Sequence, residues 1–504
     1  MTCERSVINT ENNARIKDEP KVSAHLGIIN NEHQELNFLT DPFTDYDGLI
    51  GIERRGNGTQ QFEKVSYGFE TRNEDGSNNN VSLLNMPKEN DWILCPYLDK
   101  SLIRTNLVYD LGRKMGYYTT RTQFCELIVN DDYLGLYILL EKIKVDKNRV
   151  NIKKFSDENT DPSSGGYLFH IDAGWKPAIG WESPEFYVDN EIRQSHYTME
   201  YPKPDESTTE QKEYIKNLFT EFETAFYNAE APNIYNAYEH YIDVNTFIDL
   251  FIINEFSKNP DGYRLSTYLH KDADEIDGKF KAGPFWDYNF GFANYVESET
   301  NPEDWVYDNH WWGPFNSVPF WWEKFLEDDF FVIQLQKRWT MWRSQIINED
   351  YLFYRIDEFV AEIDEARKRN YKRWPILDQP IEFPWYVWDD YSEDIDFMKS
   401  WIKKRIAWLD LEFLKMARDF SEVKAIVYPN PTNGILNLAF VSDEIEQVKL
   451  TINDLAGRVM YNDELTSLSD LNLIRLPNLN LNSGIYILSL KSDKNFARIK
   501  FIVR

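Results

Sequence analysis

The sequence predicts an α+β chain of three parts: a small β-rich region over residues 1–145, a largely helical region over 146–420, and a small all-β sandwich over 421–504. Three observations predict it. Short strand-like runs broken by Gly, Asn and Asp dominate as far as Lys142. Helical periodicity governs Ser207 to Glu230 and Asp243 to Lys258. After Ala417 the pattern returns to short alternating strands with tight turns.

In the first region, Gly56 and Gly58 flank Asn57 in a turn between two strand-like runs, and small residues there let backbone N–H groups approach a polyphosphate. Arg55, Gly56, Asn57 and Gly58 are therefore candidate phosphate contacts. Lys64, read as lying on the following strand, is a candidate to aim its ammonium at the same phosphates. Lys100 to Lys114 reads as a helix with Leu102, Ile103, Leu107 and Leu111 on one face, capped by Asp99 or Ser101. It contains no Glu, so the acid that would steady Lys64 is either Asp110 or Glu126. Phe124 to Val129 and Tyr133 to Leu140 form a hairpin through Asn130-Asp131-Asp132 and end at Glu141, a candidate hinge contact to a nucleotide base.

The second region opens with a helical stripe of Ile215, Leu218, Phe219, Phe222 and Phe226, preceded by a capping box over Ser207 to Glu210. Asp243 to Lys258 is a helix with Asp243 or Asn245 as N-cap, and Pro260 ends it. Asp261 then sits just past the helix, where Gly262 lets the backbone turn. Ser266 to His270 reads as a strand, Asp277-Gly278 as a turn that needs positive φ, and Lys279 to Phe285 as the return strand, with Asp287 directly after it. Further helices are predicted over Tyr351 to Arg369 and Asp394 to Ala417. The 16 tryptophans crowd between Trp305 and Trp342 and from Trp374 to Trp408. Trp311, Trp312, Trp321 and Trp322 would suit a sugar-stacking platform, but Phe325, Phe330, Ile333, Leu335, Trp339 and Trp342 continue the run at helical intervals, which favours packing.

Helix, acidic loop, hairpin, acidic loop is the order in which phosphoryl-transfer enzymes of the protein-kinase type hold a hydroxyl-orienting acid and a metal-binding acid. With Ile52 to Thr59, Phe62 to Tyr67, Asp91 to Leu94, Asp99 to Arg104, Glu126 to Asn130 and Tyr133 to Ile143 standing in sequence before the two loops, the chain resembles the CotH family of atypical protein kinases over roughly Ile16 to Leu414. The resemblance implies a two-lobed protein-kinase-like domain, with a small N-lobe over 1–145 and a C-lobe over 146–420 carrying both acidic loops. It implies ATP and Mg²⁺ as cofactors and protein hydroxyls as acceptors, with Asp261 the catalytic acid and Asp287 the metal ligand. Two positions depart from kinase patterns. Ser266 stands where a second Mg²⁺ ligand is usually Asn, and Asn289 stands where this family commonly repeats an acid; a neutral oxygen holds Mg²⁺ less strongly than a carboxylate. Ser266 and Asn289 remain the candidate metal ligands beside Asp287, and a degenerate pseudokinase stays open.

The formal charge of −29 sets the chain against nucleic acid, whose phosphates an acidic surface repels. Three cysteines, Cys3, Cys95 and Cys125, are too few for a disulfide scaffold, and seven histidines contain no zinc-hydrolase pair; His310 reads as a packing or loop residue rather than a ligand. No apolar run of about eighteen residues crosses a membrane. The N-terminus lacks the apolar core of a signal peptide, which a mature chain would have lost.

In the third region, Tyr428-Pro-Asn-Pro431, Asp454-Leu-Ala-Gly-Arg458, Leu481-Asn-Ser-Gly-Ile-Tyr486 and a basic last strand resemble the C-terminal sorting domain of type IX secretion in Bacteroidetes. Strands are predicted at Leu436 to Phe440, Gln447 to Asn453, Arg458 to Tyr461, Gly484 to Leu490 and Ala497 to Val503. This resemblance implies handling by the type IX secretion machinery and a secreted or cell-surface location. The reading is an exported kinase that phosphorylates Ser or Thr of a protein substrate, with a surface adhesin or binding protein on the same scaffold as the alternative.

Overall fold

The computed structural model describes all residues except 1–3, 12–13, 32–35, 57–61, 97–98, 157–158, 160, 174–179, 232, 298–299, 309–316, 382–383, 417–424, 429, 431, 433–435, 443–444, 468–469, 478 and 493–495. Asn57, Gly58, His310, Trp311 and Trp312 lie outside the described residues, as does Cys3.

The N-terminal strands close into a barrel. β1 (Glu4–Thr10), β2 (Val22–Ile29), β3 (Tyr46–Arg55), β4 (Ser66–Arg72) and β5 (Asp91–Pro96) follow one another, then β7 (Asp132–Glu141) and β6 (Thr122–Val129) complete the ring. The closing seam is a parallel pairing of β1 with β6, from Glu4 opposite Cys125 to Ile8 opposite Val129. Closure removes the free edges an open sheet would expose. An open kinase-type sheet is therefore not what the N-terminal region forms. Ile8, Leu26, Ile50, Phe69, Trp92, Leu127 and Leu139 fill the interior. Alternate residues of β5, β6 and β7, among them Ile93, Phe124, Ile138 and Leu140, face outward into the second core. Both faces of these strands are buried, which is why their sequences read as near-continuous apolar runs.

Against that outer face lies α1 (Arg104–Lys114), shorter than the predicted Lys100 start. Its N-cap is Ile103 and carries no side-chain cap; Asp99 and Ser101 instead hold the preceding turn, accepting from the backbone N–H of Leu102 and Ile103.

The middle region is less purely helical than the sequence suggests. It contains a five-stranded sheet in the order β14 (Phe280–Ala282), β13 (Thr267–Lys271), β8 (Tyr167–Asp172), β12 (His196–Tyr201), β9 (Gly180–Glu182), with a small ribbon of β10 (Phe186–Val188) and β11 (Glu191–Arg193). The turn between β13 and β14 falls at residues 274–277, Gly278 is not among the residues of positive φ, and the return strand ends at Ala282. α2 (Thr209–Tyr227) is closed by a capping box of Thr208 and Gln211, one residue after the predicted position. α3 (Ile234–Tyr238), α4 (Val244–Ser257), α5 (Trp321–Phe325), α6 (Asp329–Gln345), α7 (Glu349–Arg373) and α8 (Tyr391–Lys415) follow. From Thr246 to Ser257 every residue of α4 is buried, so it is a central helix rather than an amphipathic surface one. Trp321, Trp322, Phe325, Leu335, Trp339 and Trp342 pack into the same core, leaving Trp321 and Trp322 no face for a sugar, while Phe330 is exposed.

The C-terminal module pairs a sheet of β15 (Ala425–Tyr428), β16 (Asn437–Ser442) and β19 (Asp470–Arg475) with one ordered β18 (Val459–Thr466), β17 (Gln447–Asp454), β20 (Gly484–Lys491), β21 (Phe496–Val503). The two sheets share a core of Leu438, Phe440, Leu450, Ile452, Leu488 and Phe501. β15 and β19 are the strands the sequence pattern did not reveal.

Candidate active site

The two acidic loops meet beneath the barrel. Asp243 caps α4 by accepting from the Asn245 N–H, and the helix stops at Lys258, which takes the left-handed conformation at φ +47°. Asn259-Pro-Asp-Gly262 then turns tightly. Gly262 is needed for close approach rather than for positive φ, since a Cβ there would stand 2.9 Å from the Asn259 carbonyl oxygen. The second loop follows β14 and carries Asp287 at φ +65°. Tyr263 at +70° and Ser266 at +50° share this backbone geometry, which costs a non-glycine residue about 1–3 kcal/mol and concentrates where function requires it.

Side chains tie the loops together. The Asn259 Nδ2 donates to the Asp287 carbonyl oxygen at 3.1 Å, and the Ser266 hydroxyl donates to Asp287 Oδ2 at 3.3 Å. The Asp287 N–H reaches the Tyr109 hydroxyl of α1 at 3.4 Å. Arg264 Nη2 donates to Asp261 Oδ1 at 2.7 Å while its Nε holds the Pro260 carbonyl. Asp261 is thereby oriented from its own loop.

The patch is electrostatically under-compensated. Burial pushes the Asp287 carboxyl up to about 6, and the charges of Asp261 and Asp172 add to that shift while Ser266 and Arg55 oppose it. Burial likewise raises Asp261, with Arg264 opposing and Asp172 reinforcing. Asp172, at the end of β8, is a third carboxylate whose charge reaches both loop acids; His170 Nε2 lies 3.4 Å from it. No local motif distinguishes Asp172 from any strand-terminal acid, which is why the sequence reading passed it over.

Arg264 pairs with Asp261, and the cation whose charge reaches Asp287 is Arg55, not Lys64. The Arg55 guanidinium, at the end of β3, lies 5.8 Å from the centre of the Trp286 ring, and its Nη1 is buried without a hydrogen bond. Trp286 stacks on Tyr109, so the residue before Asp287 joins barrel, α1 and acidic loop. Lys64 sits in a bend before β4, and its ammonium donates to the Leu136 carbonyl at 2.6 Å and to Asn370 Oδ1 at 3.0 Å. Burial pushes it down to about 7, and neither Asp261 nor Asp287 is among the groups that act on it. Neither proposed acid partner reaches it: Asp110 pairs with Arg355 at 3.1 Å and Glu126 with Arg369 at 2.7 Å. Glu141 is fully buried and spends its carboxylate on Arg121 Nη1 at 2.8 Å and the Arg121 N–H at 3.1 Å, so it is not brought to the acids. Gly56 follows Arg55 at φ +102°. Asn289 is half-buried beside Asp287; its carbonyl accepts from Asn294, and its side-chain amide has no hydrogen bond among the described residues.

The donor set is hard oxygen: two loop carboxylates, a neighbouring strand carboxylate, a hydroxyl and an amide. That suits Mg²⁺, which takes one or two carboxylates and completes its shell with phosphate and water. Among the described residues no three His, Cys, Asp or Glu side chains already form a metal cluster.

Paired acidic loops at a helix end and a strand end, beside a closed seven-stranded β-barrel, define a domain of mixed α+β class. The chain belongs to the CotH kinase protein family, whose sequence model matches residues 52–409. Residues 426–504 match the secretion system C-terminal sorting domain, so the chain carries the tail by which type IX secretion machinery handles its cargo. No match to an individually curated protein was found. Among the described residues no helix is long and apolar enough to cross a membrane.

Proposed function

We propose that this chain is an exported protein kinase that transfers the γ-phosphate of ATP to Ser or Thr hydroxyls of a protein substrate. The convergence of the loops that carry Asp261 and Asp287 on one half-buried patch carries this reading. Asp261, steered by Arg264, accepts the hydrogen bond of the incoming hydroxyl and takes its proton as the bond to phosphorus forms. Asp287, with Ser266 and Asn289 beside it, holds the cation, and Arg55 takes the phosphate-facing place expected of Lys64. Bound Mg·ATP supplies the phosphoryl group and the positive charge that the acids lack. Such catalysis is positioning plus electrostatics and uses no protein nucleophile. Substitution Asp261→Asn keeps the shape of the loop but removes the base, so phosphate incorporation falls about 10²- to 10⁴-fold while the melting temperature stays within a few degrees. Equal incorporation by wild type and variant rejects the role of Asp261.

A binding protein on the same scaffold is the second reading, and the placement of Lys64 away from the acids favours it. A melt with and without Mg·ATP separates the two, because a ligand bound only by the folded state raises stability by mass action. Intact mass of the product distinguishes phosphate from a nucleotide adduct.

A further inference from the structure

Acids outnumber bases along this chain, 84 to 55, yet one hollow inverts the ratio. It measures about 480 Å³ and lies where the barrel meets the C-terminal end of α7. Arg5 of β1 and Arg369, Lys372 and Arg373 of α7 line it, opposed by Glu126 and Asp131, with Leu39 and Ile128 as apolar walls.

The one buried carboxylate is already committed. Glu126 takes Arg369 through two hydrogen bonds of 2.7 Å and the Tyr133 hydroxyl at 2.6 Å. Arg5 Nε stands 3.9 Å from Glu126, beyond hydrogen-bond reach, and is buried without a hydrogen bond. Lys372 is exposed and has no acidic partner among the described residues. Arg373 donates its Nε to the Tyr133 carbonyl and lies 3.5 Å from the exposed Asp132. Cations brought together from positions so far apart in sequence repel one another unless an anion joins them, and a guanidinium fork matches a tetrahedral oxyanion.

We propose that this hollow is an oxyanion site for a phosphate or sulfate group, held by Arg5, Lys372 and Arg373. The site is separate from the acidic patch, and the inference does not depend on the nucleotide reading. It bears on that region all the same. Asn370, between Arg369 and Lys372 on the same helix, accepts from the Leu136 N–H and from Lys64, so the anion braces the contact that fixes Lys64 to the barrel. Leu39, exposed at the rim, offers an apolar support for whatever carries the oxyanion.

The test is titration of the full chain with sodium phosphate and sodium sulfate, followed by melting temperature and calorimetry, against sodium chloride at matched ionic strength. Wild type is expected to gain stability from both oxyanions. The exposed-residue variant Lys372→Gln/Arg373→Gln is expected to bind about 10- to 100-fold more weakly, as charge-assisted hydrogen bonds are lost. A phosphoserine peptide and a sulfated monosaccharide, run beside the inorganic ions, distinguish a carried group from a free one. Tighter binding of either assigns the carrier; equal binding of all four assigns the free ion. No gain over chloride, or an unchanged response in the double variant, overturns the site. Because Lys372 and Arg373 are exposed, a folded variant is expected, and Arg5→Gln gives an independent second arm.

Discussion

Two clusters of charge in this molecule are built from the same residue types, Asp and Arg, and are satisfied to different degrees. Around Arg104, which is fully buried, every donor has a partner: Nε reaches the Phe292 carbonyl, Nη1 reaches Asp99 and Asp394, and Nη2 reaches Asp394 and the Tyr386 hydroxyl, all at 2.8–3.4 Å. Two carboxylates and one guanidinium share the charge; every guanidinium donor is used, while Asp99 Oδ2 stays buried without a hydrogen bond. Around Asp287, the charges of two further carboxylates add to the burial cost, a single hydroxyl donates to it, and Arg55, whose charge opposes them, keeps a buried Nη1 without a hydrogen bond. The first cluster is closed in that its guanidinium has no donor to spare, and on the proposed reading the second is open to a cation. The difference separates a charge cluster that holds structure from one that awaits a ligand, and the closed cluster also supports the open one, because Phe292 lies on the loop that follows Asp287.

Breaking the closed cluster gives the largest expected effect. Arg104→Ala strands Asp99 and Asp394 in the core, and removing one partner of a buried ion pair costs about 3–5 kcal/mol. Urea denaturation should show that loss as a lower midpoint with an unchanged slope. A loss under about 1 kcal/mol would mean that the cluster is no more than a surface-like pair and that the contrast is false.

The open cluster predicts the reverse sign. Asp287 has a folded pKa near 6 against an ordinary value of 3.8, so the folded chain binds more protons than the unfolded one between about pH 4 and pH 6. Stability therefore falls as pH rises through that window, and above it the ionised Asp287 is a standing cost. Asp287→Asn removes the cost. In the absence of metal it should stabilise the protein at pH 8 by about 1–3 kcal/mol, with the benefit gone by pH 4. The partial exposure of the side chain argues for the lower end of that range. The same variant should lose the rise in melting temperature that Mg·ATP gives the wild type. A variant less stable than wild type at pH 8 would show that Asp287 is already compensated.

Much of this contrast was legible in the chain. Pro260, Gly262 and Gly283 are local punctuation, so the positions of Asp261 and Asp287 after a helix and a strand followed from neighbours in sequence, as did α4 and the hairpin between the loops. Barrel closure was not legible, because it rests on β1 pairing with β6 across more than a hundred residues. The place of Lys64 was hidden for the same reason: it depends on how the barrel docks on α7, where Asn370 takes Lys64, and the phosphate-facing role proposed for Arg55 follows from that. Asp172 and Arg104 needed the fold entirely, since neither stands in a pattern that separates a buried charge from an exposed one.

The smallest and sharpest change is Asn289→Asp. It sits two residues beyond Asp287, with an amide that makes no hydrogen bond among the described residues, so a carboxylate fits the same volume. Adding it to an already acidic patch makes the imbalance worse without metal and better with it. Affinity for a hard divalent cation follows the count of charged ligands, so Mg²⁺ in the presence of ATP should bind about tenfold more tightly. Without metal, repulsion from Asp287 should lower stability by about 0.5–1 kcal/mol at pH 8. The two effects have opposite sign and one cause, and a melt with and without Mg·ATP reads both. Were the variant equally stable in either condition, Asn289 would face away from the cation and the metal would rest on Asp287 with Ser266 alone.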